Sequence, residues 1–386
     1  MSSKFWQPNT PFAPKNLPFF YGWLVVFGAT VGTLFSIPGQ TMGFSVFTEI
    51  LMRELGLTRL QLSAAYFVGT VGSGLTLPAA GKLYDLWGGR RMVVASAVVT
   101  GLILFYLACV AELSRTVSSW LPAAAGWAVS FLFIAIGFYV VRLSAQGVLT
   151  MSCRNVMGKW FDHRRGLAIG ISGLFTAFGF SLAPTALDFL ISEFTYQGCW
   201  ILLGFITLFG MGALGWLLFR DNPEECGLLM DGAKAAEEPE HDTPPQGGVP
   251  QFEATTRAPA PPKNPDMIIK REFTRAEALS TGAFWVFSLS FAWFGLYFTA
   301  FTFHIVSIAA EFDRTKEFVI KLFIPISVLS VITSLCYGIV NPHIRLKILL
   351  IAMNIAALIG AIGLVNLDQT WGVWAFVLGN GVSGGA

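Results

Sequence analysis

The sequence predicts an all-α, polytopic membrane protein, a helix bundle whose main solvent is lipid. Three observations carry this expectation. Hydrophobic residues make up 54% of the 386-residue chain and charged residues only 12%, against roughly a quarter charged in a soluble domain. Apolar runs recur at lengths near the roughly 20 residues needed to cross a hydrocarbon core. Polar, proline and glycine residues cluster between those runs, as short connections between spans require.

In chain order, spans fall near 19–47, 60–82, 92–111, 122–150, 166–190, 198–219, 282–310, 318–340, 347–365 and 371–386. Residues 1–18 form a proline-rich tail with Lys4 and Lys15, and no small-residue cleavage site follows the first run. That run therefore reads as a retained span and not a signal peptide. Most of the 25 Lys and Arg residues fall on the tail's side of the membrane, so the positive-inside rule places the N-terminus in the cytoplasm. The expected location is a cell membrane, the inner membrane in a bacterium.

Residues 220–281 break the pattern, with stretches such as Glu237-Glu238-Pro239-Glu240 and Ala258-Pro259-Ala260-Pro261-Pro262-Lys263. Such composition cannot bury enough apolar surface to fold, which predicts a largely disordered cytoplasmic linker. It separates a six-helix bundle, 19–219, from a second group of four helices, 282–386. The two groups read as distant copies. Gly81-Lys82-Leu83-Tyr84-Asp85 after the second span matches Gly338-Ile339-Val340-Asn341-Pro342 after the eighth, and Ala145-Gln146-Gly147-Val148 matches Gly379-Asn380-Gly381-Val382. A full six-plus-six plan would place two further spans beyond Ala386.

Several function classes lack support. No GxxxxGK[ST] phosphate loop occurs, and Gly379-Asn380-Gly381-Val382-Ser383-Gly384 satisfies GxGxxG only inside an apolar run, not after a strand. His163, His241, His304 and His343 are scattered with no HExxH, so no metal or other cofactor is expected. Cys109, Cys153, Cys199, Cys226 and Cys336 are single and widely spaced, which reads as packing. A net charge of +2 gives no basic face for nucleic acid. The expected partners are membrane lipids and a small solute, and the chain is not expected to be an enzyme.

Gly81-x-x-x-Asp85-x-x-Gly88-Gly89-Arg90-Arg91, between the second and third spans, resembles the cytoplasmic signature loop of the major facilitator superfamily. Gly81 would let two helices approach, Asp85 would face a helix N-terminus, and the arginines would bind carboxylates or lipid phosphates. Arg142-x-x-x-Gln146-Gly147, Arg154-Asn155 and Lys159-Trp160-Phe161-x-x-Arg164-Arg165-Gly166 resemble the monocarboxylate and oxalate/formate branch of that superfamily. Pro342 stands where the second-half signature has Asp, and the eighth span lacks the buried Arg of related carriers. The resemblance implies a secondary active transporter working by alternating access, carrying a monocarboxylate or dicarboxylate by proton symport or anion exchange. A transporter for a drug or sugar, or a receptor that binds without moving its solute, remains an alternative.

Arg142 stands out independently of any resemblance, because a guanidinium at membrane depth costs at least about 2.5 kcal/mol on insertion scales and persists where it meets water, an anion or a partner. Tyr139, Arg142 and Gln146 would share one helical stripe and offer donors to a carboxylate. The acids near a span, Asp188 and Glu49, lie toward the outer ends. His304 would carry a proton or donate to the anion. Gln40, amid Pro38, Gly39 and Gly43, would serve the solute at an irregular segment of the first span. Lys321 reads as a snorkelling residue. Gly28-x-x-x-Gly32, Gly39-x-x-x-Gly43 and Gly166-x-x-x-Gly170 would permit close helix packing.

Overall fold

The structure is a computed structural model that describes residues 4–122, 126–162, 164–232, 273–340 and 344–385. Helices correspond to all ten expected spans, and the described residues contain no strand. Seven helical stretches are long and apolar enough to cross a bilayer, one of them, Arg165–Leu218, being the fifth and sixth spans merged. Their division lies at Thr195, whose φ of 64° breaks the helical path. The second span, Arg59–Trp87, is more polar, and the tenth, Thr370–Gly385, has 16 residues. Both complete the bundle by packing.

Local chemistry sets several boundaries. The second span starts in a capping box, with Gln61 N donating to Thr58 Oγ1 at 3.2 Å and Thr58 N donating to Gln61 Oε1 at 2.9 Å. The ninth span, Leu346–Leu364, lies against the tenth through glycines: a Cβ on Gly379 would stand 2.2 Å from Gly360 N, and one on Gly363 2.2 Å from Phe376 N. Thus the GxGxxG sequence is a helix-packing surface. Gly28 and Gly32 do the same on the first span, where a Cβ at Gly32 would meet Cys153 Sγ at 2.5 Å. Gly81, Gly166 and Gly170 do not, since a Cβ on any of them would meet nothing within 4 Å. The expected close approach at those three positions is corrected. Cys153, Cys199 and Cys226 are buried, whereas Cys109 and Cys336 are exposed.

We call the end bearing the chain's N-terminus the tail end and the opposite one the far end. At the tail end the signature loop behaves differently from expectation. Asp221, just past the sixth span, is the carboxylate at the N-terminus of the third span, Gly89–Ser118; its Oδ1 accepts from Arg90 N at 2.7 Å. Gly88 (φ 82°) and Gly89 make room for it, because a Cβ at Gly88 would stand 2.4 Å from Asp221 Oδ2. Asp85 is exposed and does not take this role. Arg90, 3% exposed, donates to the carbonyls of Trp216, Gln7 and Thr10, so it binds backbone rather than a carboxylate or lipid. Arg91 lies over the Trp6 ring at 5.6 Å.

The tail segment from Lys4 onward is therefore strapped across the ends of the third and sixth spans. Phe5 stacks on Trp216 at 4.7 Å, and Trp216 Nε1 donates to Phe5 O. Beyond the sixth span, Arg220 is 1% exposed and its carbonyl accepts from Trp160 Nε1. Cys226 is also buried, which pushes its thiol up to about 11. Residues Arg220–Gly232 thus pack on the bundle, where the sequence places the start of a linker. Residues 233–272, Pro342 and His163 lie outside the described residues.

The first six spans and the last four meet at the far end. Phe303 of the seventh span, Gly282–Glu311, and Ile320 of the eighth, Lys316–Val340, join a core cluster made otherwise of first-half residues such as Phe44, Phe138 and Trp200. Lys316 Nζ donates to Asp188 Oδ1, and Ser307 Oγ donates to Glu49 Oε1 at 2.9 Å, beside the Glu49–Arg59 pair at 3.0 Å. Toward the tail end the halves separate around cavities described below.

Candidate functional site

Two irregularities face each other within membrane-length helices. The first span is helical over Gly22–Leu34, turns through a 3₁₀ segment at Ile37–Gly39, extends at Gln40 and resumes at Thr41–Ser45. The fourth span, Gly126–Trp160, changes to a π-helix over Arg142–Leu149. They are pressed together at Gly39, where a Cβ would stand 2.7 Å from Val141 O and 2.8 Å from Ala145 Cβ. Backbone of this kind at membrane depth survives only where protein buries it or it lines a cavity.

Arg142 opens the π-segment and is 6% exposed. Its Nη1 donates to Tyr66 Oη, and the guanidinium carbon lies 4.7 Å from the Tyr66 ring centroid. Tyr66 Oη also pairs with Thr41 Oγ1 at 2.9 Å, tying the first, second and fourth spans together. Phe303 covers Tyr66 from the second half, ring centroids 4.5 Å apart. Among the described residues Arg142 has no carboxylate partner, and its Nε has no hydrogen-bond partner. A phenol and a ring face soften the desolvation of a cation but do not neutralise it.

Tyr139 Oη is directed to Thr76 Oγ1 at 3.4 Å, ten residues farther along the second span than Tyr66. Tyr139 and Arg142 thus diverge by roughly 15 Å along that helix. Gln146 is half-buried in the π-segment, its backbone N near Gly39. Gln40 sits at the break in the first span, as expected, with its Nε2 donating to Ser36 Oγ at 3.0 Å. His304 is half-buried one turn from Ser307, within electrostatic reach of Glu49 and Arg59, and so belongs to the far-end closure. Lys321 is exposed.

Tyr66 and Thr41 were not legible as site residues. A hydroxyl within an apolar run is an ordinary packing choice, and nothing in spacing joins Tyr66 to a residue 76 positions away.

A tail-end cavity of about 580 Å³ lies among the first, fourth and fifth spans, bounded by Thr33, Arg154, Asn155, Arg165, Ser172 and Thr176. A second, of about 470 Å³, lies between the fifth span and the eighth and tenth. Ile169, Gly173 and Ala177 line both, so the two adjoin. Among the described residues neither is lined by an acid, and neither is lined by Arg142. In the described structure these cavities lie toward the tail end, the halves meet at the far end, and the guanidinium is buried.

A sequence model described as the Major Facilitator Superfamily matches residues 29–386. The chain is 28% identical over 207 residues to an uncharacterized MFS-type transporter, YhjX, of Escherichia coli, covering 53% of this chain and 45% of that protein. It is 28% identical over 200 residues to monocarboxylate transporter 11 of Mus musculus, covering 49% of this chain and 38% of that one. It thus spans less than half the length of these relatives. A bacterial homologue of the human lysosomal transporter Spinster, solved in an inward-facing, unoccupied conformation, superposes with a TM-score of 0.59 over 95% of this chain and 73% of that one. At 13% identity that likeness shows a shared fold.

Proposed function

The chain belongs to the major facilitator superfamily, and from that premise we propose that it serves as a secondary active transporter for a small organic anion, a mono- or dicarboxylate. One observation carries the reading. Arg142 is a cation in the middle of a membrane-length helix, held by a phenol and, among the described residues, without an acidic counter-ion, at the meeting of two irregular helix segments. A site built to take an anion leaves such a charge open for it, since a structural ion pair would already be neutral. The tail-end cavity, lined by Arg154 and Arg165 and by no acid among the described residues, supports the same sign. The likeness to a protein named as a monocarboxylate transporter agrees with it. Proton symport and anion exchange both fit. In this reading Gly81, Asp85, Gly88, Arg90 and Arg91 belong to a gating loop, and the tail end faces the cytoplasm.

The test is carboxylate binding to purified protein. Arg142→Ala is expected to abolish binding and Arg142→Lys to leave it weakened, because lysine keeps the charge but loses the planar two-pronged fork. Both proteins should remain inserted and folded. Binding by Arg142→Ala at the parent's affinity would make the residue structural.

A further inference from the structure

The tail-end cavity among the first, fourth and fifth spans carries two guanidiniums that the central site does not use. Arg154 lies in the last turns of the fourth span, and Arg165 opens the fifth. The Arg165 side chain folds back onto Gly158, where a Cβ would stand 2.7 Å from Arg165 Nη2. Gly158 is one helical turn beyond Arg154, so both forks share one wall, completed by Asn155. Among the described residues neither arginine has a carboxylate partner. Both are exposed to the cavity, whose lining holds no negative charge.

We propose that Arg154, Arg165 and Asn155 form a second carboxylate-binding station for a small water-soluble anion, at the tail-end mouth and separate from Arg142. Along the fourth span, Arg154 lies roughly 15–18 Å from Arg142, too far for one small solute to touch both. Unpaired forks in a concave, acid-free wall gather anions and grip carboxylates bidentately. The wall continues through Ile169, Gly173 and Ala177 into the cavity between the halves. It therefore lies on a solute's path, which favours a soluble anion over a lipid headgroup. The station rests on the anion-carrier reading for its solute and on its own geometry for its position.

Ala177→Cys places a reporter thiol on the shared wall, with exposed Cys109 and Cys336 replaced by serine. The full chain, in phosphatidylcholine nanodiscs, is reacted with a sulfonated methanethiosulfonate and with its trimethylammonium counterpart. The sulfonate is expected to react roughly tenfold faster, and millimolar oxalate to slow it. Arg154→Gln with Arg165→Gln should remove both the preference and the protection, and the paired Lys variants should keep part of each. In Arg142→Ala both should persist even as total oxalate binding falls, so the two readings fail separately. The station is overturned by absent oxalate protection, by protection surviving the paired Gln variants, by its loss in Arg142→Ala, or by phosphatidylglycerol protecting in place of oxalate.

Discussion

Arg142 is held by a single neutral hydroxyl, and that contact can be removed without altering the charge. Tyr66→Phe keeps the ring under the guanidinium but leaves Nη1 buried without an acceptor, a loss of about 1–3 kcal/mol. We expect the thermal midpoint in detergent to fall by several degrees in the absence of solute. Added carboxylate should then raise it by more than in the parent, because the freed donor has an anion to accept it. A midpoint equal to the parent's would mean that the Tyr66 contact contributes nothing. The paired hydroxyl, Thr41 Oγ1, sits directly after the break in the first span, so the same residue that holds the cation also anchors that break.

At the scale of elements, glycine has two different consequences in this bundle. Where the ninth and tenth spans touch, Gly379 leaves a Cβ no room, with Gly360 N at 2.2 Å and Ala356 O at 2.6 Å. Gly379→Ala should therefore push the helices apart at a cost of about 1–3 kcal/mol, seen as a lowered thermal midpoint and poorer recovery. Gly81→Ala adds a methyl to open space inside a helix and should leave stability unchanged or raise it by up to about 1 kcal/mol. The pair is informative because both residues sit in motif-like glycine patterns. A midpoint unaffected by Gly379→Ala would show that the two helices adjust freely.

For the whole molecule, the far-end contacts between the halves among the described residues include the Lys316–Asp188 ion pair, the Ser307–Glu49 hydrogen bond and the packing of Phe303 and Ile320 on the first-half core. Lys316 and Asp188 are each about one-third exposed, so breaking their pair is worth about 0.2–1 kcal/mol. That shifts an open–closed equilibrium no more than about fivefold, since 1.4 kcal/mol is a factor of ten. Asp188→Asn and Lys316→Ala should thus raise far-end accessibility to a membrane-impermeant thiol reagent modestly, and the exchanged pair Asp188→Lys with Lys316→Asp should restore the parent's value. Unchanged accessibility in the single variants would assign closure to the remaining apolar and Ser307–Glu49 contacts.

Apolar length and the short polar clusters between runs were enough to mark all ten helical segments, because in lipid a backbone is satisfied only within helices or closed barrels, and runs of about 20 apolar residues fit the helix. The isolated Arg142 and the irregular stretch around Gln40 were legible for the same reason, being costly departures from that rule. What the side chains meet was decided by the packed structure. Asp221, not Asp85, caps the third span because the end of the sixth span folds back over Gly88 and Gly89. The stripe of Tyr139, Arg142 and Gln146 assumed an unbroken α-helix, whereas the fourth span widens into a π-segment against Gly39 and sends Tyr139 and Arg142 to different partners. Spacing along one helix carries no information about the neighbour that deforms it, and Tyr66 enters the site only because three spans converge there.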